Sequence, residues 1–310
     1  MNLTQLRYFV KLAELEHYGH AARELYISQP ALSNSIHGLE KELGFALFER
    51  SGRNIVLTED GKKFNLHISN ALNEIEKGIN LKSEDSSGHC IIKIGAVSSI
   101  QKEFLPVLLS SYAKKVSDRS VFDIFEKRNT FKCLKALRLA QLDFGLCGFV
   151  PEETDMAWIP VLPQNLHVAL NPRHPLAERR SISLCELGNY SVISYRESSV
   201  LHRTITRLAR VHGFSIRCAF EDEISAITQI LTTDKGAVAL MLDRVESTLS
   251  DRVVFIPIEE LDTPFHMVYL AYRKSLRRPQ EMQQFIDYFQ ARAKSLGTIE
   301  LLEDRYLGRN

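Results

Sequence analysis

The chain has 310 residues, 45% of them apolar, which is enough to bury large cores in two or three domains. A formal net charge of +1 neither indicates nor excludes binding to nucleic acid. No apolar run approaches the roughly 18 residues of a membrane-spanning helix, and the opening MNLTQLRYFV predicts an amphipathic helix and not a signal peptide, so we expect a cytoplasmic protein without a membrane partner.

Two short helices joined by a tight turn are predicted after that first helix. Their apolar positions, at helical spacing, are Ala21, Ala22 and Leu25, then Ala31, Leu32, Ile36 and Leu39. Ser28 is a favourable N-cap and Pro30 is tolerated in a first helical turn, so the second helix should begin near Gln29 and end at Gly44. This spacing is typical of a DNA-binding helix-turn-helix, although antiparallel helical pairs with solvated faces share it.

The second helix carries a polar face that suits the edges of DNA bases. The predicted DNA-binding residues on this helix are Gln29, Pro30, Ser33, Asn34 and His37. After the helix, apolar residues flank a turn at Gly52, which predicts a two-stranded wing. Arg50 and Arg53 in this wing would lie over the sugar-phosphate backbone.

Charge alone cannot hold this segment on DNA. Residues 1–57 contain as many acidic side chains (Glu14, Glu16, Glu24, Glu40, Glu42, Glu49) as basic ones (Arg7, Lys11, Arg23, Lys41, Arg50, Arg53). Few phosphate contacts per subunit predict modest affinity, so we expect a second copy of the chain to be needed.

The residue identities in this region point to a family. The pattern AAxxLxISQPALSxxIxxLExELGxxLFER, followed by Leu57, Thr58 and Gly61, closely resembles the N-terminal domain of LysR-type transcriptional regulators. The resemblance implies a winged helix-turn-helix with its recognition helix near residues 28–43, and double-stranded operator DNA as the partner.

A single long helix is predicted from Thr58 to about Lys82. Its apolar stripe consists of Phe64, Ile68, Ala71 or Leu72, Ile75 and Ile79. The helix is longer than a small domain needs; the alternative is a core helix of the N-terminal domain. The resemblance implies a linker helix that pairs two subunits, so we expect a homodimer or homotetramer, with RNA polymerase as a further candidate partner. Residues 83–89 (SEDSSGH) read as a hinge.

Strands and helices alternate from Cys90 onward. Strands are predicted at 90–97, 120–127, 141–149, 156–162, 166–172, 190–195, 216–222, 237–242, 253–258 and 265–274, and helices near 102–116, 130–140, 199–212, 223–233 and 279–296. The alternation predicts mostly parallel sheets in two α/β subdomains with a cleft between them. The segment NPRHPLAERRSISLCEL also resembles the LysR family, which implies an effector-binding domain like the periplasmic solute-binding proteins.

The predicted fold is therefore α/β overall, in three parts. A winged helix-turn-helix occupies residues 1–58, a linker helix with its hinge residues 59–88, and the effector-binding domain residues 89–310. Within the last part, subdomain I is expected at about 89–162 and 265–310, and subdomain II at about 163–264.

Candidate effector-binding residues follow the predicted strands, since ligands collect at the carboxyl ends of strands in such sheets. They are Ser98, Ser99, Arg128, Asn129, Thr130, Cys147, Gly148, Tyr195, Ser198, Ser199 and His202. Hydroxyl and amide groups dominate, which suits a small polar or anionic effector; Arg128, Arg196 and His202 are the candidates to bind an anion. For each Ser or Thr, capping of the following helix is the alternative role.

No catalytic motif, cofactor motif or metal-ligand spacing is found, so we expect neither an enzyme nor a metal site. The five cysteines occur singly. The alternatives left open are a cytoplasmic small-molecule receptor or enzyme with an appended DNA-binding domain, and a redox-sensing regulator that uses a pair such as Cys147 and Cys218. The effector, the operator and the sign of regulation stay unassigned.

Overall fold

The computed structural model describes residues 1–51, 54–79, 90–101, 104–116, 120–220, 222–232, 236–243, 252–274 and 278–297. The chain forms two compact units, one of residues 1–84 with 138–141 and the other of residues 85–137 with 142–310. No helix among the described residues combines the length and apolar character that crossing a membrane requires.

The described residues of the N-terminal unit form four helices and a two-stranded sheet. Its elements are α1 (Leu3–Leu15), α2 (Tyr18–Glu24), α3 (Gln29–Leu43), β1 (Phe48–Ser51), β2 (Asn54–Leu57) and α4 (Glu59–Ile79). The predicted start of α3 is confirmed: the Ser28 hydroxyl accepts a hydrogen bond from the Ala31 amide at 3.3 Å. Gly44 ends the helix in the left-handed conformation with φ +80°. The paired strands confirm a wing, while its predicted tip at Gly52 and Arg53 lies outside the described residues.

Helix α4 begins where the wing ends. The Thr58 hydroxyl accepts a hydrogen bond from the Gly61 amide at 2.9 Å, so it caps the helix as predicted. Part of the predicted apolar stripe packs inside the unit itself, because the Phe64 ring lies 5.2 Å from that of Phe9 in α1. Further along α4, Ile75 is exposed. The stripe is therefore divided between the core of this unit and solvent, which the sequence analysis did not anticipate.

In the C-terminal unit, the residues that the structure describes form two five-stranded sheets with helices packed on them. Its strands are β3 (Cys90–Val97), β4 (Ser120–Lys127), β5 (Phe144–Gly148), β6 (Met156–Gln164), β7 (Leu166–Leu170), β8 (Ser191–Tyr195), β9 (Ile216–Phe220), β10 (Ala237–Leu242), β11 (Val254–Pro257) and β12 (His266–Arg273). Its helices are α5 (Ser98–Gln101), α6 (Phe104–Lys115), α7 (Thr130–Arg138), α8 (His202–His212), α9 (Glu223–Thr232) and α10 (Gln280–Leu296), with a 3₁₀ helix at Leu184–Asn189.

The strand order is β4-β3-β5-β12-β6 in the first sheet and β11-β7-β10-β8-β9 in the second. The expectation of mostly parallel sheets is wrong for the described strands, because β12 is antiparallel to β5 and β6, and β7 is antiparallel to β10 and β11. The reason lies in the connections: the chain crosses between the sheets from β6 to β7 and again from β11 to β12. Strands that enter a sheet by such a crossing run against their neighbours.

Candidate DNA-binding face and effector cleft

Helix α3 presents one polar, exposed face. Its predicted base-reading residues, Gln29, Pro30, Ser33, Asn34 and His37, are all exposed. Leu32, Ile36 and Leu39 lie buried on the opposite side of the same helix. Burial of this apolar stripe in the core of the unit holds the polar face outward.

Acidic side chains near α3 are mostly engaged within the unit. One oxygen of Glu40 accepts hydrogen bonds from the amides of Leu47 at 2.7 Å and Phe48 at 3.2 Å, so this carboxylate helps to hold the start of the wing. Lys11 forms ion pairs with Glu14 at 3.0 Å and Glu24 at 3.1 Å. A lysine between two carboxylates is a poor phosphate ligand, because its charge is already balanced.

Of the two arginines predicted to contact phosphate, the structure describes Arg50, which is exposed on β1. Arg53, its predicted companion, lies outside the described residues. An exposed arginine in the wing suits a backbone phosphate, since its planar guanidinium can donate two parallel hydrogen bonds to the oxygens.

In the C-terminal unit, the ends of several strands surround a cavity of about 60 Å³, here called the cleft. The predicted residues that line it are Ser98, Arg128, Asn129, Thr130, Gly148, Tyr195 and Ser199. They come from both sheets, as the rule on carboxyl ends of strands led us to expect.

Thr130 and Gly148 form one wall of the cleft. The Gly148 amide donates a hydrogen bond to the Thr130 hydroxyl at 3.0 Å, and Thr130 is 5% exposed. A hydroxyl that accepts one hydrogen bond keeps its own proton to donate to a ligand. The cap of α7 is Asn129, whose side-chain oxygen accepts from the Lys132 amide at 3.0 Å, so Thr130 is free of the capping role.

Gly148 also keeps this wall open. A Cβ atom at this position would lie 2.9 Å from both the His266 ring and a methyl group of Val200. Both atoms belong to residues that line the cleft, so any larger side chain here would fill the space available to a ligand.

Three polar residues of the cleft escaped the sequence analysis: Gln164, Glu223 and His266. Gln164 is 2% exposed, and its side-chain nitrogen has no hydrogen-bond partner among the residues that the structure describes. A buried amide without a partner costs free energy, which a ligand with an acceptor atom would recover.

Glu223 and Tyr195 form a buried pair beside the cleft. The Tyr195 hydroxyl donates to the Glu223 carboxylate at 2.8 Å and accepts from the Leu242 amide at 3.0 Å. Burial raises the pKa of Glu223 above its usual range, and burial together with the neighbouring Glu223 raises the pKa of Tyr195 well above its usual range. The cleft therefore contains a carboxyl group whose charged form is disfavoured by burial and would be stabilised by a hydrogen-bond donor from a ligand.

Two of the missed residues, Gln164 and His266, lie at the crossings between the sheets. Gln164 ends β6 and faces His266, the first residue of β12, in the strand register. The predicted strand ends at residue 162, before Gln164, and the return strand predicted at 265–274 was not paired with it. A polar residue at the end of an otherwise apolar strand was the available signal. Glu223 at a predicted helix start was masked by the preference of acidic residues for that position.

Four predicted effector residues do not contribute a described side chain to the cleft. Cys147 is fully buried in the core, since alternate residues of β5 face opposite sides of the sheet and Gly148 takes the cleft side. Ser198 is exposed outside the lining. The ring of His202 donates from Nδ1 to the Tyr195 carbonyl at 2.8 Å, and His202 is absent from the cleft lining. The side chain of Ser99 lies outside the described residues.

Arg196, a predicted ligand for an anion, lies outside the cleft. Arg196 donates from Nε to the Ala219 carbonyl at 3.2 Å and is absent from the cleft lining.

A hydrogen bond with Cys133, together with burial, raises the pKa of Cys147 well above its usual range. Since the thiolate is the reactive form, this environment disfavours Cys147 as a redox sensor. The side chain of Cys218 lies outside the described residues.

An exposed polar helix face in one unit and a cleft lined by polar groups in the other are the two features expected of a transcription regulator with an effector-binding domain. The family model "Bacterial regulatory helix-turn-helix protein, lysR family" matches residues 3–62, and the model "LysR substrate binding domain" matches residues 88–294. The chain therefore belongs to the LysR family of DNA-binding transcriptional regulators, a family of regulators and not of enzymes, as the resemblance implied.

Relatives and solved structures agree with this assignment. The transcriptional dual regulator GltC of Bacillus subtilis is 31% identical over 84% of this chain and 87% of its own length. The full-length CbnR structure in complex with its target DNA covers 94% of this chain and 100% of its own, with a TM-score of 0.64 at 18% identity. The effector-binding domain of QuiR in complex with shikimate covers 67% of this chain and 98% of its own, with a TM-score of 0.60 at 24% identity.

Proposed function

We propose that this regulator responds to a small polar effector that binds in the cleft. The observation that carries the proposal is the buried side-chain nitrogen of Gln164 in the cleft lining, which has no hydrogen-bond partner within the described part of the chain. Around it, Arg128, Asn129 and Thr130 offer donors to an anionic or carbonyl group. Glu223, on the same lining, offers an acceptor. An effector with an anionic group and a separate hydroxyl or amino group fits both sets.

The size of the cavity suggests how the signal is transmitted. Ligand pockets usually enclose at least about 300 Å³, whereas the cleft holds about 60 Å³. An effector must therefore widen the cleft, and that change in the arrangement of the two sheets is the event passed on to the DNA-binding unit. The shikimate in QuiR is a precedent for a small polar ligand in a domain of this fold.

Three variants test the effector site. Thr130→Val removes the hydroxyl and should abolish the transcriptional response to effector while operator binding survives. Thr130→Ser keeps the hydroxyl and should respond like the wild type. The matched control is Thr204→Val, because Thr204 is also buried but does not line the cleft. The response is measured in a reporter assay with effector found by a thermal-shift screen of small carboxylates and amino acids. An unchanged response in Thr130→Val contradicts the proposed site.

We propose that the exposed face of α3 reads bases and that Arg50 and Arg53 contact phosphates. Ser33→Ala should weaken specific operator binding far more than non-specific binding, because base contacts carry the sequence preference. Ser35→Ala is the matched control: two residues further along the helix, its side chain points about 200° away from that of Ser33, and it is half-buried. Binding is measured by fluorescence anisotropy on operator and scrambled DNA. Equal losses on both DNAs contradict base reading by Ser33.

The remaining organisation is also proposed. We infer a DNA-binding domain at residues 1–58, a linker helix and hinge at 59–88, and an effector-binding domain at 89–310, whose two sheets support the expected subdomains. We infer a homodimer through α4, assembling further to a tetramer, with RNA polymerase as a possible additional partner. Because it acts on operator DNA, its place of action is the bacterial cytoplasm.

A further inference from the structure

Three side chains with metal-ligating atoms converge at one place in the C-terminal unit. A ligand atom of Cys185, one of His212 and one of Glu260 all lie within 4.8 Å of one another. They come from three segments far apart in the chain, so no spacing motif in the sequence could reveal them. The sequence analysis accordingly expected no metal site.

The local fold fixes each of the three residues. Cys185 lies in the first turn of the 3₁₀ helix at Leu184–Asn189, where its amide donates to the Ser183 hydroxyl at 3.3 Å. His212 is the last residue of α8, which ends at Gly213 in the left-handed conformation. Glu260 follows β11 and reaches back to the start of the 3₁₀ helix.

Hydrogen bonds hold the Glu260 carboxylate in place. Its Oε1 accepts from the Ser183 hydroxyl at 2.5 Å, and its Oε2 accepts from the Leu184 amide at 3.0 Å. Each carboxylate oxygen has two lone pairs, so Oε2 can bind a cation without losing its amide contact. Partners of this kind orient the ligands of metal sites and raise their affinity.

We propose that Cys185, His212 and Glu260 bind a zinc ion. A thiolate, an imidazole and a carboxylate are the three ligand types that zinc accepts, whereas calcium and magnesium select oxygen ligands. Zinc–ligand bonds of about 2.0–2.3 Å place tetrahedral ligand atoms roughly 3.3–3.6 Å apart, so small side-chain rotations close the present separations. Water completes the fourth position, since the cysteine is exposed.

This site is separate from the cleft. Leu201, just before the start of α8, lines the cleft, whereas His212 lies at the other end of the same helix. Eleven helical residues span roughly 16 Å. Zinc binding therefore does not depend on the proposed effector, and either proposal can fail without the other.

The test measures zinc binding by the full-length protein. Metal is first removed, and a reductant that does not coordinate metal keeps the thiols reduced. Zinc is titrated in competition with a chromophoric chelator, and cobalt is used in parallel because a thiolate ligand produces a sulfur-to-cobalt absorption band. We expect saturable binding of one zinc per chain, the cobalt band, and an increase in the unfolding temperature with zinc.

Substitution of each ligand separates this site from adventitious binding. Cys185→Ser, His212→Gln and Glu260→Gln should each weaken zinc affinity by at least about tenfold, and Cys185→Ser should abolish the cobalt band. Cys90→Ser and Glu259→Gln are the matched controls, because each removes the same chemical group outside the cluster. Because Cys185 is exposed, we expect Cys185→Ser to fold normally, and circular dichroism checks this. Absence of saturable binding, or wild-type affinity in Cys185→Ser, overturns the proposal.

Discussion

At the residue scale, two glycines of the N-terminal unit differ sharply in their tolerance of a side chain. A Cβ atom at Gly61 would lie 2.1 Å from the carbonyl oxygen of Leu47, a backbone atom that cannot move aside alone. At Gly38 the nearest atom would be 3.7 Å away, at the end of the Gln5 side chain. The Gly61 position in the family pattern thus reflects the close approach of α4 to the wing.

Gly61→Ala should lower the free energy of unfolding by at least about 2 kcal/mol, because overpacking against backbone forces the elements apart. Gly38→Ala, in the interior of α3, should raise it by about 0.5–1 kcal/mol, since alanine loses less conformational entropy than glycine in a helix. Urea denaturation followed by circular dichroism measures both. Similar effects of the two substitutions would contradict this account of Gly61.

Glu223 predicts a pH dependence of stability. Its pKa is raised in the folded protein, chiefly by burial, so the folded state binds this proton more strongly than the unfolded chain. The resulting stabilisation is present at low pH and is lost as pH rises through the raised pKa. Glu223→Gln resembles the protonated form, keeps an acceptor for the Tyr195 hydroxyl, and should gain stability relative to wild type as pH rises.

The measurement is urea denaturation of both proteins at about pH 4 and about pH 8. The stability difference in favour of Glu223→Gln should be larger at the higher pH. Glu259→Gln controls for the general effect of removing a carboxylate, because Glu259 is exposed and such substitutions usually change stability little. A difference that stays constant or shrinks with pH would count against a raised pKa of Glu223.

At the element scale, the two halves of α4 lie in different environments. Its first half packs Phe64 against Phe9, and its second half leaves Ile75 41% exposed. The apolar periodicity of this helix was readable from the sequence, but periodicity does not tell which turn faces the same chain and which faces a partner. That division depends on the packing of the whole unit, which local periodicity does not encode.

Ile75→Glu should weaken dimerisation by at least about tenfold, because burying an isoleucine contributes about 1.5–3 kcal/mol and a buried unpaired charge adds a penalty. Lys63→Glu on the same helix is the control, since Lys63 is exposed and pairs with Asp60 at 3.6 Å within its own chain. Sedimentation velocity at several protein concentrations measures both. Wild-type association of Ile75→Glu would show that the dimer uses another surface.

The predicted strands and helices agree with the structure to within a few residues for most elements, as at Cys90–Val97 and Ser120–Lys127. These strands are short apolar runs between turn residues, a local signal. The cleft was predicted less completely. Residues that follow a predicted strand, such as Thr130, can be located from the sequence alone. Gln164 and His266 come together only because the chain crosses between the sheets. The zinc ligands lie beyond any local rule for the same reason.

At the scale of the whole molecule, a near-neutral chain binds DNA through the placement of its charges. The acidic residues of the N-terminal unit are largely occupied: Glu40 holds the wing, and Glu14 and Glu24 pair with Lys11. Composition could not reveal this, since it counts charges without their partners. The same limit applies to the cleft, where the charge of Glu223 depends on its burial.

Strand β12 lies between β5 and β6 in the first sheet, although it is synthesised after all the other described strands. On the ribosome, β3 to β6 emerge first, yet β6 has no hydrogen-bonded neighbour in its sheet until residues 266–273 have left the exit tunnel. All strands of the second sheet precede β12, so that sheet can complete its pairing while the first still waits. A stop codon before residue 266 would therefore leave a protein whose later-made half is folded and whose earlier-made half is open at its centre.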